Sequence, residues 1–354
     1  MRLDSSFSEE TAGNYQALRG VMCLLIVVNH FTLFHHVPAL WSIWRQLFHN
    51  GAFEVVYFFL ASGFFLMLRF PQGVSWRAYY GYRFRRLRRL YAAYMASNLF
   101  FAVWNVLTGH PLAEVLGDVL SAALFLQSTF LVNDRWGALN GAAWFVSCIF
   151  WIWLVFPLMS RVLLALNRRV ASSRVYGGIL LLGAGLYLAC EIWLPEERAV
   201  VIAYISPWVR WIYVILGMQT AFLLEGWRTC MRPRYVMPVL LAAYLYGSDK
   251  TLMLWGLVYA VVLCCLLLSV AAYPQPLLRR LGRMRWLQPF LRHSMEIYLF
   301  HFFLAVCFLP RFDVLPLSAG ACLAAFALYL ASSAWLGTAI AWLLPTVMQR
   351  SART

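Results

Sequence analysis

The sequence predicts an all-α integral membrane domain built from about ten transmembrane helices. The first ground is composition. Of the 354 residues, 63% are hydrophobic and only 12% charged, against about 25% charged in an ordinary soluble domain. The second is that many apolar runs approach or reach the roughly 20 residues needed to cross a bilayer, and the mean hydropathy is +0.70. The third is that arginine alternates with those runs.

Spans fall near 15–37, 52–69, 89–108, 142–160, 176–194, 205–224, 235–248, 251–273, 287–309 and 318–345. The seventh is short and the sixth includes Arg210, so nine or eleven spans also fit. The run 112–132 is apolar but broken by Asp118 and Gln127; it suits an outer amphipathic helix, a re-entrant piece or a further span. The net charge of +15 would suggest a nucleic-acid partner in a soluble protein, but in this chain it is a matter of loops. The segments 69–89, 161–174, 225–234 and 273–292 hold seven, four, three and five arginines. With Arg2, Arg19, Arg350 and Arg353, one face collects 23 of the 29 basic residues and the other keeps six. By the positive-inside rule both termini and the Arg-rich loops are cytoplasmic. Lipid is the expected surrounding and nucleic acid is not an expected partner.

Residues 1–14 form a cytoplasmic tail, 15–345 the membrane domain and 346–354 a second cytoplasmic tail. The leader before the first span carries three acids and lacks a short basic region, and no small-x-small cleavage site follows the span, so the first helix is expected to be retained. The eight cysteines show no CxxC or Cys/His spacing, so neither disulfides nor a metal site is expected. No inverted repeat of the transporter kind is visible.

Chemistry must then come from polar residues within the spans. Arg19 and His30 lie eleven residues apart in the first span. On a helix that is three turns plus about 20°, which puts both on one face about 16 Å apart. Ionisable groups in a bilayer are costly and mark pathways, relays or sites. Arg19 can snorkel to headgroups or hold an anion; His30, with Asn29 beside it, can cap a carbonyl or move a proton. The run 83–91, RFRRLRRLY, is a topology anchor on lipid or a phosphate site, since arginine binds phosphate in fork geometry. In the ninth span Ser294, Tyr298 and His301 share one helical stripe, with Glu296 off it near the cytoplasmic end.

These motifs stand in collinear order: Arg19-x10-His30, FFLASGF at 58–64, RRLRRLY at 85–91, WFVSCIFWIWLVFPL at 144–158 and SMEIYLFH at 294–301. Together they resemble the acyltransferase-3 family, ten-helix membrane O-acyltransferases that modify envelope glycans and related acceptors. The resemblance implies that His30 and Arg19 are the principal functional pair, with His301 as a further catalytic residue in the Tyr-Leu-x-His element. It implies that Arg86 and Arg89, or Arg85 and Arg88 in the other register, together with Arg19 bind the donor. Asn29, Ser62, Tyr298 and Glu54 are the expected acceptor-binding residues. It implies acyl-CoA as donor, acetyl-CoA foremost, a cell-envelope glycan or glycolipid as acceptor, no metal, and a place in the bacterial cytoplasmic (inner) membrane.

The chain departs from the family pattern at four places. Ile149 stands where many members carry a glutamate, Val56 where an acid is common, Ala92 where a proline is common and Met295 where a tyrosine is common. The His, Arg and Glu set also suits a proton-coupled transporter or flippase of a glycan or lipid. The lost glutamate also suits a non-catalytic partner in a polysaccharide-modification complex.

Overall fold

The computed structural model describes residues 9–48, 51–129, 139–195, 202–230, 255–273 and 275–351, and among these the chain is helical with no strand. The helices are α1 (Glu9–Asn29), α2 (Pro38–Phe48), α3 (Gly51–Arg69), α4 (Trp76–Leu107), α5 (Leu112–Ala123), α6 (Trp144–Arg169) and α7 (Ser172–Trp193). They continue with α8 (Pro207–Cys230), α9 (Trp255–Ala272), α10 (Pro276–Leu281), α11 (Gln288–Arg292), α12 (Ser294–Cys307), α13 (Leu309–Phe312) and α14 (Ala319–Ser351).

Eight of the described helical segments are long and apolar enough to cross a membrane. They overlap eight of the ten expected spans, so the protein is an all-α polytopic membrane protein. The expected sixth span coincides with α8, 24 residues long, which carries Arg210 and Gln219 and is not among those eight. The seventh, 235–248, lies outside the described residues.

One boundary differs from expectation, and the run 112–132 falls to one of the alternatives left open for it. The first span was expected to run to residue 37, yet α1 stops at Asn29. There the bonding tightens, with His30 N–H donating to Val27 O and Phe31 N–H to Val28 O, and a 3-10 turn follows over Leu33–His36. Pro38, whose ring suits the first turn of a helix, then opens α2. The described part of the run 112–132, residues 112–129, holds α5, whose 12 residues are too few to span. It buries Val115, Asp118 and Ala122 on one side and exposes Leu112, Leu116 and Leu120 on the other. That amphipathic pattern suits an interfacial helix.

The chain forms two compact units. The first comprises residues 1–15, 52–80 and 148–280. In it α8 packs against α7 and α9, and backbones approach closely where glycine removes the side chain. A Cβ on Gly63 would strike Val214 O, and one on Gly217 would strike Leu60 O, so α3 and α8 interlock through reciprocal glycines as membrane helices commonly do. Polar groups pair within the unit: Asn167 and Gln219 exchange two hydrogen bonds of 2.8 Å.

The second unit comprises residues 16–51, 81–147 and 281–354. Its centre is α12 packed along α14. Gly337 faces the Ile297 backbone, where a Cβ would lie 2.7 Å from the amide nitrogen, and Gly20 faces Leu291, where a Cβ would lie 2.6 Å from the side-chain Cδ1 and 3.1 Å from Cα. Both glycines bring neighbouring helices onto the segment that carries His301.

Candidate functional site

In the second unit, α1 and the segment 291–301 run side by side in one direction. Arg19 Nη2 donates to Leu291 O at 2.8 Å. One turn further on, Cys23 Sγ donates to Ser294 O at 3.2 Å. Where α1 ends, the His30 and His301 rings meet edge to face, with centroids 5.0 Å apart and planes at 70°. Phe302 packs edge-on against His30 at 5.2 Å. The eleven-residue spacing on one helix thus becomes a pair of functional groups matched against a second helix.

The hydrogen bonds fix the tautomers. His30 Nδ1 lies 2.8 Å from Ile26 O, and a carbonyl oxygen can only accept, so Nδ1 carries a proton. His301 Nδ1 lies 2.7 Å from Tyr298 O and is protonated for the same reason. His301 Nε2 is therefore a lone pair, placed 3.4 Å from His30 Nδ1, where it accepts a second, long branch of that N–H. His30 Nε2 is left with its own lone pair and no proton. This is the arrangement a general base requires: one ring nitrogen oriented by acceptors, the other ready to take a proton.

Further side chains hold His301 in place. Tyr298 donates its hydroxyl to Ala142 O at 2.8 Å. Asn140 donates to Leu299 O at 2.8 Å while its own side-chain oxygen caps the 3-10 turn at Ala142 N. Asn98 Oδ1 accepts the Asn140 N–H at 3.4 Å. α12 is thereby tied to 139–143 by its own Tyr298 and by Asn140, while Asn98 of α4 holds Asn140. Tyr298 thus spends its hydroxyl on the backbone, a positioning contact. Asn29 likewise donates to Phe48 O at 2.6 Å, closing the carboxyl end of α2.

The arginine run lies on α4. Arg89 Nη2 and Nε reach Glu296 Oε1 at 2.8 and 3.2 Å. Glu296 is 8% exposed and Arg89 52%, so the guanidinium neutralises a buried carboxylate and keeps one side open. Arg88 is exposed. Arg85 and Arg86 belong to the same helix, and their side chains lie outside the described residues. Nothing in the sequence announces the Glu296 pairing, because its partner Arg89 is 207 positions away.

Glu54 and Ser62 belong to α3 in the first unit. Ser62 Oγ accepts the Trp153 indole N–H at 2.8 Å, and Glu54 is buried. Ile149, at the position of the missing glutamate, is buried too. The same unit holds a group that the sequence reading counted only as a charge: Arg210 is 4% exposed. Its Nε donates to Tyr204 O at 2.6 Å, and its guanidinium lies over the Tyr204 and Tyr213 rings at 4.8 and 5.3 Å. A lone arginine in an apolar run is the signal that could have found it.

Comparison with known proteins agrees with this architecture. The family model for the acyltransferase domain matches residues 13–344, nearly the whole chain. No curated protein and no solved structure matches. The match covers both the α1 and α12 histidines and the arginine run of α4, and on it the chain belongs to the acyltransferase-3 family of membrane acyltransferases.

Proposed function

We propose that the protein takes an acyl group, acetyl foremost, from acyl-CoA on the cytoplasmic side of the inner membrane. It delivers that group to a hydroxyl of an envelope glycan or glycolipid. The observation that carries the reading is the geometry at His30, whose Nδ1 faces Ile26 O at 2.8 Å and His301 Nε2 at 3.4 Å; with its proton on Nδ1, the neutral ring offers Nε2 as the base. A sugar hydroxyl is a weak nucleophile near neutral pH. As its oxygen attacks the thioester carbonyl, its proton passes to His30 Nε2. The resulting imidazolium is stabilised at Nδ1 by two acceptors. Collapse of the tetrahedral intermediate breaks the C–S bond, and the CoA thiolate leaves and takes up the proton.

Arg19, Arg85, Arg86, Arg88 and Arg89 are the proposed partners of the CoA phosphates, because a guanidinium fork matches phosphate oxygens. Arg89 serves through its open side, being braced by Glu296. Asn29 and Tyr298 are the proposed acceptor-side residues of the second unit, through their backbone contacts to Phe48 and Ala142, and Glu54 and Ser62 are proposed for the acceptor within the first. The positive-inside bias supports cytoplasmic termini, and with them a donor that enters from the arginine-rich face.

The test is transfer from radiolabelled acetyl-CoA by purified protein in detergent or nanodiscs, in parallel with CoA binding. Loss of a general base costs about 10²–10⁴ in rate. His30→Ala is expected to abolish transfer while CoA still binds. Retention of more than roughly a tenth of wild-type rate would exclude the base role.

A further inference from the structure

We infer that His35, His36 and Asp313 form a binding site for a divalent transition cation, Zn²⁺ foremost. The site joins the 3-10 turn after α1 to the residue after α13. The two histidines and the aspartate are nearly three hundred positions apart in the chain, and no Cys/His spacing announces them. In the fold their ligand atoms converge, all within 4.8 Å of one another. His35 Nε2 and His36 Nε2 each lie 3.0 Å from the same oxygen, Asp313 Oδ1.

The tautomer argument sharpens this convergence. His35 Nδ1 lies 2.8 Å from Thr32 O, so that nitrogen carries the proton and Nε2 of the neutral ring is a lone pair. A lone pair facing a carboxylate oxygen at 3.0 Å is repulsive. Either a second proton or a cation must stand between them. His36 Nε2 points at the same oxygen, and the two imidazoles lie against each other with centroids 4.2 Å apart. Metal-bound histidine characteristically donates its other ring N–H to a carbonyl or carboxylate, which fixes ring orientation and raises basicity. Thr32 O provides that for His35.

The dimensions suit a tetrahedral ion. Bonds of about 2.0–2.1 Å place tetrahedral ligand atoms about 3.3 Å apart, a few tenths of an ångström more than the two contacts to Asp313, and the two histidine nitrogens, within 4.8 Å of each other, would close onto the ion by rotation of the rings. Two imidazoles and one carboxylate are a donor set typical of zinc with a fourth, open position. That position faces outward, since His35 and Asp313 are 41% and 45% exposed, which also gives an entry path. The nearest basic side chain in sequence does not compete: Arg311 lies over the Trp104 ring at 4.7 Å. A bound ion would clip together the ends of the two segments that carry His30 and His301.

The experiment titrates Zn²⁺ into chelator-treated full-length protein in detergent, read by calorimetry and by thermal unfolding. One equivalent per chain and a raised Tm are expected. Asp313→Ala and His36→Ala should each weaken that binding by at least about tenfold, whereas His110→Ala should leave it unchanged. Co²⁺ provides a second readout, with the intense visible absorption of a tetrahedral site in the wild type and its loss in Asp313→Ala. X-ray absorption on the zinc-loaded wild type needs no variant and should give two imidazoles and oxygen. No binding below millimolar Zn²⁺ would make the cluster an imidazolium–carboxylate pair and overturn the proposal. An isotherm unchanged by the ligand variants, or a sulfur-containing shell, would overturn it equally.

Discussion

Replacing His301 by Phe removes an acceptor from His30 without opening a large cavity, so it isolates what the second imidazole contributes. In the ground state the His30 N–H has Ile26 O at 2.8 Å and His301 Nε2 at 3.4 Å. When His30 takes the proton, that N–H becomes part of a cation, and hydrogen bonds to charged groups are worth about 1.5–3 kcal/mol. The 3.4 Å branch is long and Ile26 O remains, so about 1.5 kcal/mol, the lower end, applies. At 1.36 kcal/mol per decade this is about a tenfold fall in rate, well short of the loss expected for His30→Ala. The assay is single-turnover transfer from acetyl-CoA in nanodiscs, with CoA affinity measured separately. Because His301 acts through His30, the two changes should not multiply. The double variant is expected to be no slower than His30→Ala alone. Multiplicative losses, or a His301→Phe enzyme as slow as His30→Ala, would refute the assignment of His301 as the orienting partner.

Arg89→Ala strands the buried Glu296 carboxylate; scaled down from the 3–5 kcal/mol of fully buried pairs because Arg89 is half exposed, the loss is about 1–2 kcal/mol. A lowered Tm that is largely restored by adding Glu296→Gln is the expected result of thermal unfolding. Arg88→Ala should leave Tm unchanged and raise the KM for acyl-CoA, with a smaller rise for Arg88→Lys. Gly337→Ala forces a Cβ to 2.7 Å from the Ile297 backbone and should destabilise, whereas Gly320, with nothing within 4 Å, should tolerate Ala or gain up to about 1 kcal/mol; unfolding in detergent distinguishes the two. Reporter fusions after Arg89, Arg169, Arg234 and Arg285 should all score cytoplasmic, and outward labelling at two or more would contradict the assigned topology.

The sequence made some of this legible for physical reasons. Bilayer-length apolar runs and their arginine borders follow from one-dimensional constraints, so the helices appeared where composition put them. The Arg19-x10-His30 spacing also needed only helix periodicity, and the structure sets both residues against one neighbouring segment. The end of α1 was not legible, because the backbone tightens at His30 and Phe31 with no Gly or Pro there to announce it, and the Asn29 side chain bonds to a carbonyl 19 residues later. Pairings such as Arg89 with Glu296, or His36 with Asp313, are long-range and leave no periodic trace. Arg210 looked like a misplaced charge in an otherwise apolar run, although the rings that receive it, Tyr204 and Tyr213, lie only six and three positions away. A glutamate absent at position 149 was visible at once, but its consequence was not: that place is filled by a buried aliphatic side chain.

The pairing of α1 with α12 bears on how the protein is made. Arg19 and Cys23 find their partners at Leu291 and Ser294, and His30 finds His301, each more than 270 positions later. At about 5–20 residues per second, roughly 15–55 s of synthesis separate the emergence of the two halves of this pair. Through that interval a helix carrying a guanidinium and an imidazole waits in the translocon or bilayer with its polar face uncovered. Chains that stall before α12 present that face permanently, a feature on which membrane quality control can act.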